Sequence, residues 1–146
     1  MALARSLFEL YNHRQSDPAW LDKRVAAFAA DAEVIDGPSG APLHGPEGYK
    51  RLMLFFVEHF PDCRTELTDV FATEDRVVVE SISRGTTTGS RTLPPGALKA
   101  SGRPGEVRMC QVLQFRHGKI VSLHGYSDST TLLDQFGLNA ATAQAM

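Results

Sequence analysis

The sequence predicts an α+β domain: a cone-shaped, curved mixed β-sheet wrapped around a long helix, with N-terminal helices closing an apolar pocket. Three observations carry that prediction. Apolar residues recur at helical spacing as far as Phe60, and beyond Pro61 the spacing becomes two through four successive segments. The chain has 146 residues, enough for one proper core. Helices gathered ahead of a run of antiparallel strands pack together on one sheet face. Residues 1–146 are therefore expected to form a single domain.

The elements follow in order. Leu3, Leu7, Leu10 and Tyr11, with Phe8 beside them, give the first helix an apolar stripe. SDPAWLDKRVAAFAAD reads as a second helix, capped by Ser16 or Asp17, with Pro18 in its first turn and a stripe of Leu21, Val25 and Phe28. AEVID is a short strand, ended by the breaker-rich GPSGAPLHGPEG. The third helix runs from about Pro46 to Phe60, with Tyr49, Leu52, Met53, Phe56 and Phe60 on one side, and Pro61 stops it. CRTELTDVFAT, RVVVESISRGTTTG, EVRMCQVLQFR and KIVSLHGYS are strand candidates, with EDR and HGK as tight turns. The long connection over residues 90–105 is read either as a lid or as a surface excursion. STTLLDQF is a terminal helix.

Composition narrows the function classes. Hydrophobic residues make up 42% and the net charge is −2 with no long run of one sign, which favours neither nucleic acid nor an anionic membrane as partner. No segment is apolar over the length needed to span a bilayer, and no secretory signal opens the chain. Cys63 and Cys110 fit a reducing cytoplasm better than a disulfide scaffold. The five histidines show no metal-ligand spacing, and no flavin, nicotinamide or phosphate motif is present, so no cofactor is expected.

Several residues have chemical potential. If the last strand stays extended from Ile120, then Ser122, His124, Tyr126 and Asp128 project to one face, a polar row that would line a cavity. Asp128, just before STTLL, is placed as an N-cap, or as a general base aimed inward. His124 would orient that carboxylate, donate to an enolate or act as base. Gln111 interrupts the apolar series Val107, Met109, Leu113 and Phe115, and a buried amide needs partners: a ligand carbonyl, or His124 across the sheet. Asp36, before Gly-Pro, reads as a turn former or a pocket acid. Phe56 and His59 border the pocket side of the third helix. Arg84 is a candidate to bind a ligand carboxylate or to pair with Asp62.

HFPD (59–62), RGTTTG (84–89), ASGR (100–103) and HGKIVSLHGYSDSTTLLDQFGL (117–138), in this order, resemble the SnoaL-like polyketide cyclases of the nuclear-transport-factor-2-like superfamily. The resemblance covers the chain from about Leu3 to Leu138. It implies a general base at Asp128 that removes a proton beside a carbonyl, so that the enolate closes a ring by aldol attack. It also implies a small hydrophobic carbonyl compound as substrate and a homodimer formed through the outer sheet face. Two positions depart from the family: His124 stands where a tryptophan is usual, and Thr87 where a histidine is usual. AEVIDGPSG also resembles the stretch carrying the catalytic aspartate of ketosteroid isomerases, with Asp36 at its position. Gln111 replaces the acid of their oxyanion hole, and Tyr11 is a loose match for the tyrosine. Three alternatives thus remain beside cyclisation: an isomerase or dehydratase, an epoxide hydrolase built on Asp36, Arg84 and Asp128, and a non-catalytic ligand-binding domain.

Overall fold

A computed structural model of the chain describes residues 2–36, 41–86 and 104–127. Three helices, α1 (Ala2–Asn12), α2 (Trp20–Val25) and α3 (Gly45–His59), lie against a sheet of β1 (Phe28–Ile35), β2 (Leu43–His44), β3 (Arg64–Ala72), β4 (Arg76–Thr86), β5 (Pro104–Arg116) and β6 (Lys119–Ser127). The sheet is mixed and curved without closing, in the order β2-β1-β6-β5-β4-β3, and β1 runs parallel to β6. This is the α+β architecture expected from the sequence. The expected lid segment, except for its last two residues in β5, and the expected terminal helix lie outside the described residues.

Over the described residues the four late strands fall where the sequence predicts, with β5 beginning two residues earlier, and the β3–β4 and β5–β6 turns each have a local cause. Thr73 N–H donates to Arg76 O at 2.8 Å, closing the β3–β4 hairpin on Glu74 and Asp75. His117 and Gly118 both take positive φ, 53° and 75°, the backbone a two-residue hairpin with the right twist demands. The early part differs from expectation. α2 ends at Val25, and Phe28 begins β1 instead of continuing a helical stripe. Ala-rich AAFAA has good helix propensity, but the parallel pairing of Phe28 with Ile120 and the bond from Ile120 N–H to Ala27 O override it. On α1 the buried stripe is Ala4, Leu7, Phe8 and Tyr11, rotated so that Leu3 is exposed.

The core lies between the helices and one sheet face. Leu113, Leu123, Val77, Val79 and Val34 meet Leu7, Phe8, Tyr49, Leu52 and Met53 there, and Phe28 stacks on Tyr49 with ring centroids 3.9 Å apart. Two side chains fasten the loose ends. Asn12 trades hydrogen bonds with the backbone of Thr65, tying the end of α1 to β3. Buried Arg14 donates to three carbonyls, those of Tyr11, Cys63 and Pro61.

Candidate active site

Asp36 follows the end of β1, and its placement is set by a glycine. Gly125 of β6 lies opposite Gln111 of β5. A Cβ at Gly125 would stand 1.6 Å from Asp36 Oδ1, so the carboxyl group occupies the space a side chain would need. Gln111 Nε2 donates to Asp36 Oδ2 at 2.6 Å and fixes its orientation. The side chain is half-buried on the helix face of the sheet. Burial pushes its pKa from the usual carboxylate range up to about 7, against the opposing effects of the Gln111 bond and the Arg24 charge. A carboxyl group with that poise, still reachable, is suited to take and return a proton near neutral pH.

Three helices contribute the rest of this interior. Arg24 of α2 is 7% exposed, with its guanidinium 5.9, 5.3 and 5.7 Å from the ring centres of Phe8, Tyr11 and Tyr49. Its Nη1 meets the Met53 sulfur at 3.4 Å, it interacts with the Tyr49 hydroxyl, and among the described residues its Nε has no hydrogen-bond partner. Burial raises the pKa of both Tyr49 and Tyr11, so both phenols are neutral donors at physiological pH. Ser81, buried on β4 beside the Val79–Gln111 pair, has an Oγ with no partner among the described residues. Among the described residues the site thus combines a carboxyl group poised near neutral pH, a buried cation and an unpartnered hydroxyl inside an apolar wall.

Arg24 is the residue that sequence reasoning passes over. It falls three positions after Leu21, on the side of the helix that Leu21 and Val25 make apolar. A cation at a stripe position is the available signal.

The other predicted residues divide. Gln111 does have the partner its burial requires, but that partner is Asp36 and not His124. His124 and Tyr126 share one face, as alternation predicts, yet it is the face turned away from the helices. The reason is a bulge: Phe115 pairs with Ile120 and Gln114 with Ser122, leaving Val121 as the extra residue and reversing the alternation. His124 instead bonds Glu33 Oε1 at 2.9 Å, and Tyr126 is 60% exposed. Arg84 is an exposed cation held between Glu66 and Glu106, while Asp62 accepts bonds from Thr86 N–H and Oγ1–H. These groups line an open polar groove of about 890 Å³, and the groove is separate from the interior around Asp36. Phe56 is partly buried against the core. Asp128 and the side chain of His59 lie outside the described residues.

Comparison with known proteins agrees with this architecture. The family model of the SnoaL-like domain matches residues 4–123. No curated protein matches the chain. IdmH, a candidate polyketide cyclase from Streptomyces antibioticus, is 26% identical, with a TM-score of 0.72 over 94% of this chain and 97% of that one. A candidate SnoaL-like polyketide cyclase from Jannaschia sp. CCS1 superposes with a TM-score of 0.80 over 94% and 91% of the two chains at 17% identity. A protein of ketosteroid-isomerase-like fold from Catenulispora acidiphila, solved with trimethylamine, gives 0.69 over 92% and 94% at 22% identity. With the mixed sheet, the helix-lined interior and a family match over most of its length, the chain belongs to the SnoaL-like domain family.

Proposed function

We propose that this SnoaL-like protein catalyses cofactor-independent proton transfer on a small hydrophobic carbonyl compound, with Asp36 as the general base. The observation that carries the reading is the half-buried Asp36 carboxyl group, oriented by Gln111 and poised near neutrality. In its ionised form Asp36 removes a proton from the carbon beside a carbonyl. The C–H electron pair becomes an enolate, which attacks a second carbonyl of the same molecule and forms a C–C bond. The resulting alkoxide recovers the proton from Asp36. The sequence is redox-neutral and needs no co-reactant.

Two similar proteins, IdmH and the Jannaschia protein, are described as candidate polyketide cyclases, which favours ring closure as the fate of the enolate. Reprotonation at a different carbon would make the same unit an isomerase, the reading favoured by the position of Asp36 at the end of β1. The assembly proposed with this activity is a homodimer across the outer sheet face, where Phe71 and Tyr126 are 50% and 60% exposed.

The test is deuterium exchange at the α-carbon of 2-tetralone, an apolar bicyclic ketone, followed by NMR. Wild type, Asp36→Asn and Asp128→Asn are compared. Asp36→Asn should lower the rate by a factor of about 10² or more, the usual contribution of a general base. Loss in Asp128→Asn with Asp36→Asn unaffected would move the base to Asp128 and defeat the assignment.

A further inference from the structure

Among the described residues two arginines are buried, and they are held differently. Arg14 is 9% exposed, and three carbonyl oxygens lie within 2.9 Å of its guanidinium nitrogens. That is how a protein satisfies a structural cation. Arg24 is buried more deeply, yet it meets a thioether sulfur, a tyrosine hydroxyl and three aromatic faces, and among the described residues its Nε has no hydrogen-bond partner. Among the described residues no carboxylate stands within ion-pair distance of it. Its Nη1 reaches the Met53 sulfur, the guanidinium bonds the Tyr49 hydroxyl, and Nε–H has no partner among the described residues; aromatic faces stabilise the ion without using its in-plane N–H groups. Those groups form the fork that an oxyanion fills with two parallel hydrogen bonds.

Arg24 acts electrostatically on Asp36, Tyr49 and Tyr11, so the open Nε–H and the acid share one interior. While Asp36 carries its proton and the phenols stay neutral, that interior holds an uncompensated positive charge. An uncompensated buried charge is costly, and a ligand anion removes the cost.

We propose that Arg24 is the oxyanion receptor of this pocket, and that the natural ligand presents a carboxylate or an enolate oxygen to its guanidinium. The inference rests on the proton-transfer reading only for the enolate; the carboxylate stands without it. Within the small hydrophobic carbonyl compounds implied by the resemblance, this favours an acidic or readily enolised one.

The experiment uses two bicyclic probes of similar shape, 2-naphthoate and neutral 2-tetralone, with binding followed by the fluorescence of Trp20, the single tryptophan. Wild type should bind naphthoate about tenfold or more tighter than tetralone, the advantage expected of a charge-assisted bidentate pair. Arg24→Met should abolish that preference while leaving tetralone affinity within about twofold, because its unbranched side chain preserves the apolar packing. Arg24→Lys, which keeps the charge and loses the fork, should retain part of the preference and guards against misfolding of the methionine variant. A fall in naphthoate affinity with unchanged kcat for tetralone exchange assigns the fork to a carboxylate. A fall in kcat at unchanged KM assigns it to the enolate. Equal affinity of wild type for both probes, together with unchanged kcat in both variants, would overturn the proposal and leave Arg24 as packing. Asp36→Asn separates the two readings: if it exchanges tetralone like wild type, the base assignment fails while the naphthoate comparison still judges Arg24.

Discussion

Replacing Asp36 with asparagine should change how stability depends on pH, and by an amount the structure allows to be worked out. The carboxyl group moves from 3.8 in the unfolded chain to about 7 in the folded protein. The native state therefore holds a proton that the unfolded state has already released. Stability from this group is fully present below pH 3.8 and is lost as pH rises through 7, at about 1.4 kcal/mol per pH unit. Its total contribution is about 4 kcal/mol, of which about 2.6 kcal/mol disappears between pH 5 and pH 8. Asparagine keeps the shape and an oxygen for Gln111 but cannot ionise, so the variant should not suffer this loss. For a chain of this size, with a urea slope of about 2 kcal/mol/M, the wild-type midpoint should fall about 1.3 M further than the variant's over that interval. Urea unfolding at pH 5, 6, 7 and 8 measures it, and titrations common to both proteins cancel in the difference. Midpoints that move in parallel would show an ordinary carboxylate at position 36, and the proton-transfer reading would lose its main support.

Four further outcomes follow from named contacts. Gly125→Ala places a methyl group where Asp36 Oδ1 lies; because the carboxyl can swing aside, it should cost only about 1 kcal/mol in denaturant unfolding yet remove most tetralone exchange. Gln111→Leu deletes a hydrogen bond that lowers the Asp36 pKa, so the midpoint of the pH–rate profile should move upward, with about 1 kcal/mol lost in stability. Arg14→Met breaks three bonds to carbonyls and leaves buried acceptors, and should destabilise by about 3 kcal/mol in urea, whereas Arg24→Met, which gives up a weak bond to the Met53 sulfur and one to the Tyr49 hydroxyl, should cost less. His117→Gly relieves a positive φ at a β-branch-free but still unfavoured residue, and calorimetry should show a stabilisation of about 0.5 kcal/mol.

The strands were legible because their signal is local: β-branched residues alternate, and turns such as His117–Gly118 punctuate them. The end of α2 was not, since nothing within AAFAA reveals that Phe28 will pair with Ile120, about ninety residues away. The candidate site shows the same division. Asp36 and Gln111 each stand out in sequence, one before Gly-Pro and the other interrupting an apolar series. That they touch depends on β1 lying beside β6, a parallel neighbour that no turn announces. The row of His124 and Tyr126 was legible as a row, but its direction hung on one bulged residue, Val121. Polarity could not decide the direction either, because the helix face also carries Gln111 and Ser81.

Three features of the interior each work against stability. Asp36 holds a carboxyl group that burial makes reluctant to ionise, Arg24 holds a guanidinium with an unused Nε, and Ser81 holds a hydroxyl without a partner. A core selected for packing alone would place apolar side chains at such positions, and buried ionic groups exchanged for well-packed apolar ones often gain stability. Arg14 shows that this fold can satisfy a buried cation fully when the role is structural. Arg24 and Asp36 face the same interior, interact through charge and yet form no ion pair. A direct pair would hold Asp36 as a permanent carboxylate and fill the Arg24 fork, removing both the exchangeable proton and the receptor for an oxyanion. Keeping them apart preserves both, and it is the arrangement required of a site that moves a proton at one end of its substrate and receives negative charge at the other.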